Sequence, residues 1–264
     1  MKKYFLGLII CFSLVIFTGC VLNQKINLPS LPIDDLVKKS NDFFNEPALK
    51  TNVVTETESI NEQTDLYLVK ASYPQIKLAD EEIAQTINED LESLVLGEIN
   101  NFKEAALESG EPPAPELISS IEIDYKIDYL DDNLLSLNYE ISTYVAGAAH
   151  PFSYVMVYNY DLVNDWEIEL ADLFYADADY LEKIASIARA DLEQKLGAGY
   201  LFEEGLAPED ENFEKFVITK EGLKILFDPY AVAPYAAGPQ EVLIKYEDIK
   251  DLVDLEGSIG YLIE

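Results

Sequence analysis

Cys20 is the residue whose surroundings specify a reaction. It closes the stretch MKKYFLGLIICFSLVIFTGC, in which Lys2 and Lys3 precede an apolar run from Tyr4 to Phe17, and Thr18 and Gly19 are small. This is the layout of a secretory leader, too short and too one-sided for a stable membrane span. A small residue directly before Cys marks the point where the sulfur takes up a diacylglycerol and the leader, residues 1–19, is cut away. Phe17 stands where Leu, Val or Ile is usual. An uncleaved anchor helix and an ordinary cleaved leader are the alternatives, and each still places the following residues outside the cytoplasm. The expectation is an extracytoplasmic chain held to the cell membrane by lipid on Cys20. The other cysteine, Cys11, lies within the leader. The mature chain then has neither thiol nor disulfide and depends on its core alone.

His150 is the single histidine, in the segment VAGAAHPFSY. Between small residues and Pro151 it reads most simply as a turn residue whose imidazole bonds local backbone. A pH sensor or a metal ligand is the alternative. One histidine and no mature cysteine exclude a thiol–imidazole couple and a multi-histidine zinc site. Ser153 could complete a Ser–His–Asp set only in form, because no motif supports it. No Gly-rich phosphate loop is present. Asp172, Asp177 and Asp179, and the run Glu209, Asp210 and Glu211, lack the alternation and glycine of a calcium loop and read as capping or solvated acids. A glycosidase-like carboxylate pair stays open, since separation in space is not legible here. The reading is therefore of a chain without catalytic set, metal or cofactor.

The segment DPYAVAPYAAGPQEV, residues 228–242, has a different character. Pro229, Pro234 and Pro239 stiffen it, and Tyr230 and Tyr235 are carried between small residues. Rigid aromatic side chains on a pre-ordered backbone suit a recognition surface, because they lose little entropy on binding. A structural crossover whose rings plug a sheet is the equal alternative.

Charge narrows the partners. The chain carries 18 Lys plus Arg against 50 Asp plus Glu, a net charge of −32. Loss of Lys2 and Lys3 with the leader brings it to −34. Phosphate backbones and anionic lipid surfaces are repelled, so nucleic acid is excluded, whereas metal ions, basic peptides and basic proteins are attracted. Solubility alone would also account for such a charge.

Residues 20–62 show no sustained period and read as a flexible tether, with an r.m.s. reach of about 35 Å. Beyond it, Asp65 to Tyr73 alternates like a strand that Pro74 ends. Asp80 is a natural N-cap for a helix with Ile83, Ile87, Leu91 and Leu94 on one face, a pattern that can be followed past Gly97 to Ile99 and Phe102. EPPAP, residues 111–115, is a rigid breaker. Alternation from Ile121 to Tyr129 and from Leu135 to Ile141 around Asp131, Asp132 and Asn133 predicts a hairpin with one covered face. Tyr154 to Tyr160 predicts another strand. Tyr180 to Leu196 predicts a helix stopped by Gly197. Three short strands follow, at 215–219, 223–227 and 241–246. The fold class is α+β: an antiparallel sheet with two main helices packed on one face.

These elements come in a recognisable order: AGAAHPFSYVMVYNYDL, ELADLF, a helix, then FVITKEGLKILFDPYAVAPYAAGPQEVLIKYEDI. Residues 145–264 resemble the bacterial family known as domain of unknown function 3298. The carrying motifs are Gly147 to Pro151, Asn159 to Leu162, Asp172 to Phe174, Thr219 to Leu223 and Pro229 to Gly238. Residues 63–144 resemble its companion, domain of unknown function 4163. The resemblance implies binding rather than chemistry. The pair forms the outer part of RsiV-like, lysozyme-sensing anti-sigma factors and accompanies the catalytic domain of PdaC-type peptidoglycan deacetylases. Neither a cytoplasmic sigma-binding segment nor a metal-binding deacetylase domain is expected here. Together with the leader, the charge of −34, the missing catalytic set and the Pro-Tyr loop, the resemblance leads to the expectation of a lipid-anchored, non-enzymatic protein that captures a basic wall-active protein such as lysozyme. Pro229, Tyr230, Pro234, Tyr235 and His150 are the expected contact residues. A module that binds peptidoglycan glycan through its many tyrosines is the alternative.

Overall fold

Asp80 does what its position predicts. Its side chain accepts from the backbone N–H groups of Glu82 and Ile83 and opens helix α1, Glu81–Ser109. Ala84, Ile87, Leu91, Val95, Ile99, Phe102 and Ala106 form its buried stripe, one residue every three or four. The computed structural model describes residues 53–110, 114 and 117–263, all within one compact unit. The leader, Cys20, most of the tether and nearly all of the 111–115 breaker lie outside the described residues.

The strands before and after α1 are β1, Val54–Gln63; β2, Tyr67–Lys77; β3, Ser119–Leu130; β4, Leu134–Tyr144; β5, Phe152–Asp161; and β6, Trp166–Glu167. They pair in that order in one sheet, antiparallel throughout except for β2 beside β3. That parallel pair needs a long crossover, which α1 provides while covering the sheet. The chain then forms α2, Tyr180–Leu196; a short α3, Asp210–Phe213; and β7, Phe216–Ile218; β8, Gly222–Phe227; and β9, Gln240–Lys245, which make a second, antiparallel sheet. A last turn, α4, spans Tyr246–Ile249. Among the described residues no helix is long and apolar enough to cross a membrane.

The α+β class and the two main helices are as expected, but the strands divide between two sheets, each with its own helix. Three further details differ from expectation. Residues 54–62, the end of the expected tether, lie in β1, which pairs with β2 along its whole length. Nearly all of β1 is exposed, so no alternation betrays it, and the ladder holds it in place. Second, β2 runs through Pro74. Beyond Ala71 it has β1 alone for a partner, so a nitrogen without hydrogen is tolerated on the open side. Third, the division drawn at 144/145 falls in the connection between β4 and β5, neighbours in one sheet.

The hairpin face expected to meet solvent is covered. Ser136, Asn138 and Asn159 project away from α1 and are buried. Strand β7 lies across β3, β4 and β5 there. Ser136 Oγ donates to Asn159 Oδ1 at 2.6 Å, Asn159 Nδ2 donates to the Phe216 carbonyl at 2.9 Å, and the Ile218 N–H donates to Ser136 Oγ at 2.8 Å. The β3 ladder shifts register between Ile127 and Tyr129, and the side chains change cores there. Ile127 packs under α1, whereas Tyr129 joins the core of the small sheet and α2.

Tyr139 is fully buried under α1, and its hydroxyl has no hydrogen-bond partner among the described residues. Burial pushes its ionisation well above the ordinary tyrosine range. An unmet buried hydroxyl costs about 1–3 kcal/mol. Tyr139→Phe is therefore expected to leave stability unchanged or raise it by about 1 kcal/mol, roughly 2–4 °C in Tm. Thermal melts check this; a clear fall in Tm would mean that the hydroxyl is paired.

Candidate functional site

The connection from β8 to β9, residues 228–239, carries four of the expected contact residues. Asp228 anchors its start. One carboxylate oxygen accepts the Val155 N–H of β5 at 2.9 Å, and the other pairs with Lys215. The Ala231 N–H turns back to the Asp228 carbonyl at 3.0 Å. Pro229 is buried, and Val232 and Ala233 dip inward, Val232 into the core beneath α2. Tyr230 sits between them at φ +73°, a left-handed conformation a bulky residue adopts only when its surroundings impose it. Its side chain is 57% exposed.

The structure brings the Ala-His-Pro turn to this loop. The Tyr235 hydroxyl donates to the Pro151 carbonyl at 3.1 Å, and His150 Nδ1 lies 2.9 Å from the same oxygen. The His150 and Tyr235 rings stand 4.7 Å apart, and Tyr235 and Tyr230 stack at 5.2 Å and 29°. Three rings from two segments thus form one continuous stack at the surface. Pro234 is half-buried at the start of the turn that carries Tyr235. Pro229 and Val232 plug, while Tyr230, Tyr235 and His150 present rings. His150 bonds local backbone as a turn histidine does. The Ser153 hydroxyl lies 3.5 Å from that of Ser142.

Beside the stack, a cleft of about 510 Å³ opens between the polar face of β3–β5 and the β8–β9 sheet. Pro229 and Asp228 form part of its wall. On that polar face lies Asp128, whose side chain is only 2% exposed. It accepts from Lys126 Nζ at 2.8 Å and Asn138 Nδ2 at 2.6 Å, with Lys224 Nζ at 3.9 Å. Lys224 also reaches Glu241 at 3.5 Å. Burial works against the Lys126 charge, but the hydrogen bond and field of Asp128 outweigh it, so the ammonium titrates above the ordinary lysine value. The buried carboxylate holds two lysines along the cleft.

Sequence reasoning missed Asp128, because in β3 it is one of several alternating polar residues. It also missed Asp228, whose partners lie 13 and 73 positions away. Of the acids read as capping or solvated, Asp172 caps a turn, whereas Asp210 pairs with a side chain. Asp172 accepts the Glu169 N–H at 2.8 Å, and Asp210 accepts the Tyr180 hydroxyl at 3.1 Å. Burial, then that bond, pushes Tyr180 up to about 12. Among the described residues no group of three or more Asp, Glu or His side chains is placed to hold a metal.

This arrangement is a surface of stacked rings beside a charged cleft, on a two-sheet α+β body. Solved structures share that body. A DUF3298 family member from Bacteroides fragilis superposes with a TM-score of 0.61 at 20% identity, covering 78% of this chain and 95% of that one. A second, from Pseudomonas aeruginosa, gives 0.60 at 17% identity, with 78% and 97% covered.

Residues 171–247 match the family described as "Protein of unknown function (DUF3298)", and residues 60–153 match the one described as "Deacetylase PdaC". Among curated proteins, Peptidoglycan-N-acetylmuramic acid deacetylase PdaC of Bacillus subtilis is 31% identical over 138 residues, 51% of this chain and 29% of that protein. Immunogenic protein MPT64 of Mycobacterium tuberculosis is 26% identical over 108 residues, covering 41% and 47%. The chain spans less than half the length of these relatives.

Proposed function

We propose that this chain is an extracytoplasmic binding protein of the cell envelope, carried on lipid at Cys20, that takes hold of a basic wall-active protein such as a lysozyme. The observation that carries the reading is the His150–Tyr235–Tyr230 stack. Large rings are held at the surface by bonds to Pro151 and, through Asp228, to Val155, on a chain of net charge −32. Pre-ordered rings give affinity at little entropic cost, and the negative field speeds encounter with a basic partner. Envelope location is also supported by the matches over residues 60–153 and 171–247.

Binding of hen lysozyme to the full-length protein tests this. Affinity should be measurable at low salt, fall as salt rises, and drop about tenfold or more in Tyr235→Ala. No binding even at low salt would remove lysozyme as the partner.

A second reading, peptidoglycan itself, is favoured by the relative whose name specifies peptidoglycan N-acetylmuramic acid. The rings would then stack on sugar faces. Salt-insensitive retention on purified peptidoglycan, lost in Tyr235→Ala, would favour it.

A further inference from the structure

A second loop lies against the ring loop. After α2 the chain turns through Ala198–Tyr200 and runs to Leu206. The Phe202 N–H donates to the Val232 carbonyl at 2.9 Å, which sets the two loops side by side. Gly205 completes the contact. A Cβ there would fall 1.9 Å from the Ala231 carbonyl oxygen, so only glycine lets the loops approach this closely. Leu206 is buried and anchors the far end.

The residues this loop leaves outside are large and aromatic. Tyr200 is 65% exposed and Phe202 39%. With Tyr230 they put three exposed rings on two loops clipped together. Scattered exposed rings are ordinary on protein surfaces; a group of them on a braced support marks a contact surface. The surrounding charge is of one sign. Residues 198–214 hold Glu203, Glu204, Glu209, Asp210, Glu211 and Glu214, and residues 228–239 hold Asp228, with no Lys or Arg in either stretch. Arg189 pairs with Glu203 and Lys215 with Asp228, while Glu204, Glu209 and Glu211 stay exposed.

We propose that Tyr200 and Phe202 extend the ring loop into one two-loop docking surface for a basic protein. Its Arg and Lys side chains lie over the rings, and the neighbouring carboxylates take up their charge. The inference rests on the reading that the partner is a basic protein. It assigns contact to a loop outside the Pro-Tyr segment, and it makes Gly205 a positioning residue that holds the two halves together.

The experiment uses the full-length protein and hen lysozyme as probe, at low and at physiological salt. The double variant Tyr200→Ser/Phe202→Ser is expected to bind about tenfold or more weakly with an unchanged Tm, since both side chains face solvent. Gly205→Ala keeps every ring but separates the loops, and it is expected to weaken binding as well. Wild-type affinity in the double variant would overturn the docking surface and leave the proposed function standing. Absence of binding by the wild type would overturn the docking surface and also remove lysozyme as the partner, and that result is read on the unaltered protein. Should Gly205→Ala fail to fold, the double variant alone decides.

Discussion

Asp161→Ala is expected to cost about 3–4 kcal/mol and to lower Tm by roughly 10 °C. Asp161 ends β5 and is 3% exposed. One carboxylate oxygen accepts the N–H groups of Val163 and Asn164 at 2.9 and 2.8 Å. The other accepts Asn164 Nδ2 at 2.9 Å and the hydroxyl of Ser258 at 2.5 Å, 97 positions away. One side chain thus builds the turn into β6 and ties down the C-terminal segment. Alanine leaves those donors unmet in a site with little access to water, which costs more than the loss of ordinary surface bonds. Denaturant or thermal unfolding measures the effect; a change below about 1 kcal/mol would show that water replaces the carboxylate freely.

The same residue makes stability depend on pH. Burial alone would raise its pKa, but the bonds from Ser258, Asn164 and Val163 outweigh it and hold the carboxyl below its ordinary value. A depressed folded-state pKa means that the native state binds its proton less readily than the unfolded chain. The stabilisation is therefore fully present above the ordinary aspartate pKa and is lost as pH falls through the lowered one. Wild type and Asp161→Ala should accordingly converge in stability under strongly acidic conditions.

Asn159→Leu is expected to cost about 2–4 kcal/mol, although leucine is of similar size and more apolar. Asn159 is 2% exposed and lies where β7 crosses the large sheet. Removing its amide strands the Phe216 carbonyl and takes the acceptor from the Ser136 hydroxyl, which itself receives the Ile218 N–H. A short strand laid across a sheet face has backbone groups that no ladder partner satisfies, and these two side chains satisfy them. Ser136→Ala breaks the same network. The double variant should therefore cost less than the two single losses added together, by about 0.5–3 kcal/mol. Strict additivity would show that the two side chains act separately.

These residues also show where reading the sequence stops. Asn159 and Asp161 were visible in the Asn-Tyr-Asp-Leu motif, but nothing in the chain named their partners. Asp80 and Gly197 differ in this respect. A capping carboxylate and a glycine at φ +91° act within four residues of their own positions, so α1 began and α2 ended where the pattern placed them. The Asp131 turn was equally legible, because its carboxylate bonds the N–H groups of Asn133 and Leu134 close at hand. The covered face of β4 was not legible. Ser136 and Asn138 have the polar identity of solvent-facing residues, and only β7, about eighty residues on, makes them interior.

The aromatic stack divides in the same way. Tyr230, Tyr235 and His150 stood out as residue types on stiff segments, but their meeting depends on Asp228 reaching β5 and on Tyr235 reaching Pro151. By itself the sequence determined whatever short-range geometry controls: helix stripes and caps, the hairpin turn and the sign of the field. The tertiary structure alone decided which strands share a sheet, which polar side chains are buried, and which rings stand together. The reason is physical. Caps and periodicity act over one or two turns of chain, whereas strand pairing and burial of polar groups are settled by partners tens of residues away, and no local pattern specifies them.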